Sequence, residues 1–243
     1  MKKNKIDIFR KKFKNKNTVG GWLQLGDPNS AKIISKSKNL DWICLDMEHG
    51  LINLSSISKI IDAVEFSNKI ILTRISFSDV NNIPKILDLG VDGIIIANIK
   101  TENDILKIYR LSNYPPLGER GLGFSKYNNF NLNKKDLKIK PIIIPMIENI
   151  YAYKNLEKIM NYKNLIDGLF IGPVDLSLSM NDMLKFSIKH KKAINIIKQK
   201  CKKNNIPIGL HIIKGTKKDI IKTFRGGFGF VAYLTDTVIL QGY

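Results

Sequence analysis

Residues 39–50 read Asn-Leu-Asp-Trp-Ile-Cys-Leu-Asp-Met-Glu-His-Gly. The run is apolar from Trp42 to Leu45 and then ends in Asp46, Glu48 and His49. Ionisable groups are costly to bury unless partnered, so a buried strand has no structural use for them at its tip. Strand tips are, however, where α/β barrels and open α/β sheets carry their chemistry. Whether other strands end in the same way decides both the fold and the function.

Outward from this stretch, short β-branched runs alternate with longer amphipathic segments, the pattern of a parallel sheet built from βα units. Strands are predicted at 18–25, 40–48, 69–76, 93–98, 140–148, 168–174, 206–212 and 228–234. Helical periodicity falls at 29–38, 55–66, 80–89, 102–112, 150–160, 185–204 and 216–225, with N-caps expected at Asn29-Ser30, Ser55-Ser56 and Asp79. Eight strands in 243 residues match a (β/α)8 TIM barrel. The rival, a doubly wound sheet, usually has fewer strands and often a glycine-rich nucleotide turn after the first. Here that position holds Leu25-Gly26-Asp27-Pro28. Residues 1–17 read as a basic N-terminal segment and 18–243 as one barrel domain without a full C-terminal helix. The irregular stretch 113–139 is long enough to expect a functional or interfacial role.

Composition narrows the class. Hydrophobic residues make up 44% and are evenly spread, as in a globular chain. No apolar stretch approaches the roughly 20 residues of a membrane span, and the basic N-terminus has no apolar signal core. Cys44 and Cys201 are too few for a disulfide framework, and the expected location is the cytoplasm. The net charge of +19 would suit a polyanion partner. Yet the lysines accompany abundant Ile and Asn and are dispersed over most helices, without an aromatic-interleaved stripe, so no specific nucleic-acid partner and no membrane partner is expected.

The strand ends do repeat the pattern. Besides Asp46, Glu48 and His49, the third strand carries Arg74, the fifth ends at Glu148, and the sixth leads through Gly172-Pro173-Val174 to Asp175. In a barrel these converge on one mouth. Glu148 and Asp175 form a two-carboxylate oxygen site suited to Mg²⁺, Mn²⁺ or Co²⁺, with positions left open for a substrate such as a 2-oxo acid. Arg74 offers a planar charged fork for a carboxylate or a developing enolate oxygen. Asp46 and His49 would make a dyad in which the acid orients the imidazole for proton transfer. The set specifies reversible carbon–carbon bond formation through a metal-stabilised enolate. A Schiff-base lysine is the other aldolase route, with Lys100 and Lys214 after the fourth and seventh strands. In so lysine-rich a chain, chance placement explains both better.

The motifs Gly-Trp-Leu-Gln-Leu-Gly-Asp-Pro (21–28), Asp-Trp-Ile-Cys-Leu-Asp-Met-Glu-His-Gly (41–50), Leu-Thr-Arg (72–74), Ile-Leu-Asp-Leu-Gly (86–90), Tyr-Pro-Pro-Leu-Gly-Glu-Arg-Gly-Leu-Gly (114–123), Met-Ile-Glu (146–148) and Gly-Leu-Phe-Ile-Gly-Pro-Val-Asp-Leu-Ser (168–177) occur in order. The chain resembles the class II pyruvate aldolases that include 4-hydroxy-2-oxoheptanedioate and 2-dehydro-3-deoxyglucarate aldolases. They lie within the superfamily of the citrate lyase β-subunit-like CoA lyases.

The resemblance implies a barrel of the phosphoenolpyruvate/pyruvate-binding type. Glu148 and Asp175 would be metal ligands, Arg74 the pyruvate and enolate partner, and His49 with Asp46 the acid/base dyad. It places Trp22, Gly172, Pro173 and Val174 against the substrate, with main-chain amides around Gly172 and Val174 on the pyruvate carboxylate. Glu48 is left as an outer or interface residue, Asp88 as one that reaches a neighbouring subunit's site, and Arg120 as part of a loop near the site or interface. It further implies a homo-oligomer, a hexamer or trimer of dimers, acting on a small 2-oxo acid and an aldehyde.

Departures are local. Met146 stands where many relatives carry Gln, Lys126-Tyr127 where they often carry Arg-Ala, and Leu234 where a small residue is usual. The chain stops at Tyr243, where relatives continue into a last helix. These changes spare the pyruvate half and bear on the aldehyde. An acyl-CoA lyase, or a barrel without turnover used as a binding module, are the alternative readings.

Overall fold

Eight parallel strands close on themselves in the order β1 to β8, each paired with its neighbours in sequence and β8 with β1. They are β1 (Thr18–Leu23), β2 (Trp42–Asp46), β3 (Ile70–Ser76), β4 (Gly93–Ala97), β5 (Ile142–Ile147), β6 (Leu169–Ile171), β7 (Ile208–Ile212) and β8 (Phe230–Tyr233). This is the (β/α)8 barrel expected from the sequence. The computed structural model describes residues 2–242 except Asn133 and Lys135, so the chain end at Tyr243 lies outside the described residues. Helix α1 (Lys2–Asn15) precedes the barrel; α2 (Pro28–Ser35), α3 (Leu54–Val64), α4 (Ile83–Asp88) and α5 (Glu102–Ser112) follow the first four strands. The second half carries α6 (Ile150–Lys154), α7 (Leu156–Met160), α8 (Pro173–Ser179), α9 (Ile188–Lys203), α10 (Lys217–Arg225) and α11 (Asp236–Leu240). Among the described residues no helix is long and apolar enough to cross a membrane.

Side chains alternate across each strand, so Trp42, Cys44 and Asp46 face the barrel interior together. Large and small residues interlock there. A Cβ on Gly20 would stand 2.2 Å from the Trp42 ring, and one on Gly209 would stand 2.2 Å from the Phe230 ring. The two glycines are therefore the space into which the aromatic rings fit. A column of rings continues upward: Phe13 to Phe230 (4.5 Å between centroids), Phe230 to Phe170 (5.6 Å) and Phe170 to Trp22 (5.9 Å).

Phe13 belongs to α1, the helix that the basic segment at residues 1–17 forms over Lys2–Asn15. Ile6, Phe9 and Phe13 are buried, a helical spacing, and the helix lies across the N-terminal end of the barrel. Its cations have dedicated partners. Asp41, Asp92 and Asp167 immediately precede β2, β4 and the Gly168 that opens onto β6. Each accepts a main-chain N–H from the preceding strand of the barrel: Val19 (3.0 Å), Ile71 (2.9 Å) and Ile143 (3.1 Å). Each also pairs with α1, through Lys12, Lys5 (2.7 Å) and Arg10 (2.5 Å) respectively. Part of the positive charge is thus structural. Phe13→Ala is expected to lower unfolding free energy by about 3 kcal/mol, the cost of deleting a buried ring, while leaving turnover in place. Urea denaturation beside a rate assay checks it.

Other boundaries shift for local reasons. Asp27, not Asn29, caps α2 by accepting Ser30 N–H at 2.7 Å, with Pro28 in the first turn. Asn53, two residues ahead of the expected cap, caps α3 through Ser55 and Ser56. The single helix expected over 150–160 is divided at Asn155, and the one over 80–89 begins as a 3-10 turn that Ser76 caps.

Candidate active site

The predicted residues assemble at the C-terminal mouth, but their pairing differs from expectation. Register places Asp46 beside Arg74 across β2 and β3. The Asp46 carboxylate is fully buried and takes six donors. Oδ1 accepts Arg74 Nε (2.9 Å) and the main-chain N–H groups of Glu48 and His49 (3.1 Å each). Oδ2 accepts Arg74 Nη2 (2.5 Å), Trp22 Nε1 (3.0 Å) and Gln24 Nε2 (3.2 Å). Burial works against its charge, but the hydrogen bonds and positive charge of Arg74 prevail and hold its pKa at about 2.

The dyad expected between Asp46 and His49 is therefore not what the structure shows. Asp46 engages only the main chain of His49. The exposed imidazole faces Glu48 instead, Nε2 to Oε2 at 3.9 Å. Glu48 also lies 3.3 Å from Arg74 Nη1. The cause is the tight turn after β2, which directs the 48 and 49 amides back onto Asp46 and leaves both side chains outside it.

Glu148, directly beyond β5, is almost fully buried. Its Oε1 accepts the Asn98 N–H at 2.5 Å. Asn98 sits at φ +58°, and its side-chain oxygen accepts from Asn149 at 3.2 Å. Opposite, the missing side chain of Gly172 makes room: its Cβ position is 2.7 Å from Glu148 Oε2 and 3.6 Å from Asp175 Oδ2. Both carboxylates thus reach one small space above β6. Burial, then the charges of Glu48 and Asp175, raise the pKa of Glu148 to about 7. Burial likewise raises that of Glu48.

A buried carboxylate held this far from its ordinary range, facing a second carboxylate, fits an oxygen-donor cation site. Among the described residues no three His, Cys, Asp or Glu side chains are arranged to hold an ion. A cation would rest on Glu148 and Asp175 and complete its shell from water and substrate.

The remaining predicted residues divide between mouth and floor. Pro173 offers its carbonyl to His190 Nε2 at 2.8 Å, and Val174 is exposed on α8. Met146 is buried on the same inward face of β5 as Glu148. Leu234, just past β8, adopts φ +58°. Asp88 and Arg120 are joined at 2.6 Å, with the guanidinium fully buried between Tyr114 (4.7 Å) and Tyr127 (4.2 Å). They sit beside Gly90, whose carbonyl accepts from Lys2 of α1, so within this chain they do not meet the mouth. Lys126 pairs with Asp62 and packs on Gly90, also toward the floor. That placement removes it from the mouth within a single chain. The sequence reading missed Gln24, Asn98, Asn149, His211 and Asp236. Asp236 accepts the Gln24 and Leu25 amides at 2.8 and 3.0 Å and fixes the end of β1. A buried polar residue just past a strand end was the available signal.

A closed barrel with a carboxylate-lined mouth defines the class, and comparison with known proteins gives the family. Residues 19–236 match the HpcH/HpaI aldolase/citrate lyase family, and the chain belongs to it. It is 33% identical over 163 residues to a 4-hydroxy-2-oxovalerate aldolase of Novosphingobium aromaticivorans, covering 65% of this chain and 62% of that protein. It is 29% identical over 167 residues to a 4-hydroxy-2-oxo-heptane-1,7-dioate aldolase of Shigella flexneri, covering 67% and 62%. The matched region thus spans about 62% of the length of these two relatives. An HpcH/HpaI aldolase/citrate lyase family protein from Burkholderia cenocepacia J2315 shares the fold at TM-score 0.88 and 20% identity, covering 96% of this chain and 95% of that one.

Proposed function

We propose that this chain is a divalent-metal-dependent aldolase that reversibly cleaves a 4-hydroxy-2-oxo acid to pyruvate and an aldehyde. The observation that carries the reading is the pair of carboxylates, Glu148 and Asp175, meeting above Gly172 on the same rim as Arg74. A cation held there would supply Lewis acidity toward the 2-oxo group.

Arg74 is fixed by Asp46 and keeps its Nη1 on the Glu48 side, a permanent positive charge near developing enolate charge. His49, exposed at the rim, takes the proton of the 4-hydroxyl as the C3–C4 bond breaks. The electron pair passes into the pyruvate enolate, which is then protonated at C3. Glu48, rather than Asp46, orients the imidazole during this transfer. Pro173 has no N–H and that of Gly172 points to the Ile147 carbonyl at 3.4 Å, which leaves the first-turn amides from Val174 onward for the substrate carboxylate. The working unit is a homo-oligomer located in the cytoplasm.

An aldol assay with pyruvate, Mn²⁺ or Mg²⁺ and a panel of aldehydes tests the reaction and its acceptor together. Activity should vanish in EDTA and return with the metal. Full activity in EDTA, or a borohydride-trapped pyruvate adduct, would replace this mechanism with a lysine one.

A further inference from the structure

His211 has no part in the chemistry above, yet it stands in the mouth. It lies on β7 two residues beyond Gly209, on the same inward face. Its Nε2 is 3.1 Å from the Leu234 carbonyl oxygen. A carbonyl only accepts, so Nε2 carries the proton and Nδ1 is the bare nitrogen of the neutral ring. The carbonyl is offered by Leu234 at φ +58°, in the left-handed region that a leucine rarely adopts. The imidazole is tilted 31° against the Trp22 indole, with ring centroids 4.7 Å apart. Burial, with the Arg74 charge adding to it, lowers the His211 pKa to about 4, so the ring is neutral near neutral pH.

Trp22 is what this ring touches, and Trp22 is not a passive wall. Its indole N–H is one of the six donors to Asp46, and the Arg74 guanidinium lies 5.0 Å from its ring centre. Contacts therefore run without a gap from Leu234 after β8, through His211 and Trp22, to Asp46 and Arg74 on β2 and β3. We infer that His211 is a positioning residue: its ring, aimed by the hydrogen bond to Leu234, braces Trp22 and thereby keeps Asp46 and Arg74 in their working orientation. The residues on this path explain each other. Leucine in the left-handed region turns a carbonyl to the imidazole. A flat, neutral ring bearing one donor can meet that carbonyl and the indole at once. An aliphatic side chain could fill the space, but nothing would fix its angle.

The catalytic consequence rests on the aldolase reading, so the test has one arm that needs no turnover. In the first arm, His211→Ala should lower kcat for oxaloacetate decarboxylation about tenfold with KM changed less than about twofold, as expected when charged groups are displaced by a fraction of an ångström. His211→Gln keeps a donor for Leu234 but no ring, and should behave like alanine. In a Trp22→Leu background the same His211→Ala change should cost less than about a further twofold, because the brace has nothing to act on. In the second arm, Trp42→Phe leaves Trp22 as the only tryptophan. Adding His211→Ala or His211→Gln should then redshift its emission and raise its acrylamide quenching at least about twofold as the ring gains freedom.

Additive losses in the cycle, or Trp22 emission and quenching unmoved by both variants, would overturn the brace. A wild-type protein inactive on pyruvate substrates would overturn the aldolase reading alone, and the fluorescence arm would still decide the role of His211.

Discussion

Glu148→Gln is expected to lower divalent-ion-dependent oxaloacetate decarboxylation on the order of a thousandfold, the rate equivalent of several kcal/mol of lost transition-state stabilisation. The reaction is chosen because any site that stabilises pyruvate enolate should decarboxylate oxaloacetate. Glutamine keeps the shape of the side chain and an acceptor for the Asn98 amide, so the fold is preserved while the anionic ligand is lost. The same variant has a signature in stability. In the wild type, burial and the neighbouring Glu48 charge raise Glu148 from an ordinary 4.5 to about 7. The folded chain then holds this proton more tightly than the unfolded chain does. The resulting stability is fully present below about pH 4.5 and is lost as pH rises through about 7, an amount on the order of 3 kcal/mol. In EDTA, melting temperature should therefore fall between pH 5 and pH 8 in the wild type and much less in Glu148→Gln. Adding Mn²⁺ at pH 8 should raise it in the wild type only, since the ion and the proton compete for the same oxygens. A wild type whose melting temperature is indifferent to Mn²⁺ at pH 8 would rule out this site as the place where metal binds.

The strands were legible because Ile-rich runs such as 93–97 and 142–147 are apolar on both faces, as barrel strands must be. Which residues carry charge at the mouth was legible too, since Asp46, Arg74, Glu148 and Asp175 interrupt those runs at their ends. Their partners were not. Asp46 and His49 are three apart in sequence, which invites pairing. The register that sets Asp46 opposite Arg74 belongs to the closed sheet and has no linear trace. The floor helix shows the opposite failure. Ile6, Phe9 and Phe13 have helical spacing in plain view, but surrounding lysines mask it when composition is weighed first. The cations also have a readable complement: an apolar residue followed by aspartate at 40–41, 91–92 and 166–167, three times at the same place in the barrel. That repeat has no meaning until the strand starts are known to face one helix.

Arg74→Ala should be the most damaging single change to the site that still leaves a folded protein. It removes the cation beside the enolate, so a fall in turnover of roughly a thousandfold is expected. It also strips Asp46 of its two charge-assisted hydrogen bonds, and breaking a buried pair by deleting one partner costs about 3–5 kcal/mol. The sign with pH separates the two effects. In the wild type Asp46 sits at about 2 against an ordinary 3.8. Its contribution, on the order of 2 kcal/mol, is present above pH 3.8 and lost as pH falls toward 2. Without Arg74, burial is opposed only by Trp22, Gln24 and two main-chain amides, and the carboxyl should rise above 3.8. The variant then binds a proton more tightly folded than unfolded, so its deficit should shrink as pH is lowered from 7 toward 5. Arg74→Lys keeps a charge without the two-point grip and should recover part of the stability but little of the rate. Urea denaturation at pH 5 and 7, with decarboxylation rates on the same samples, measures both. If Arg74→Ala lost stability as described while keeping wild-type turnover, the guanidinium would be a structural clamp for Asp46, and the enolate would have to be stabilised elsewhere in the mouth.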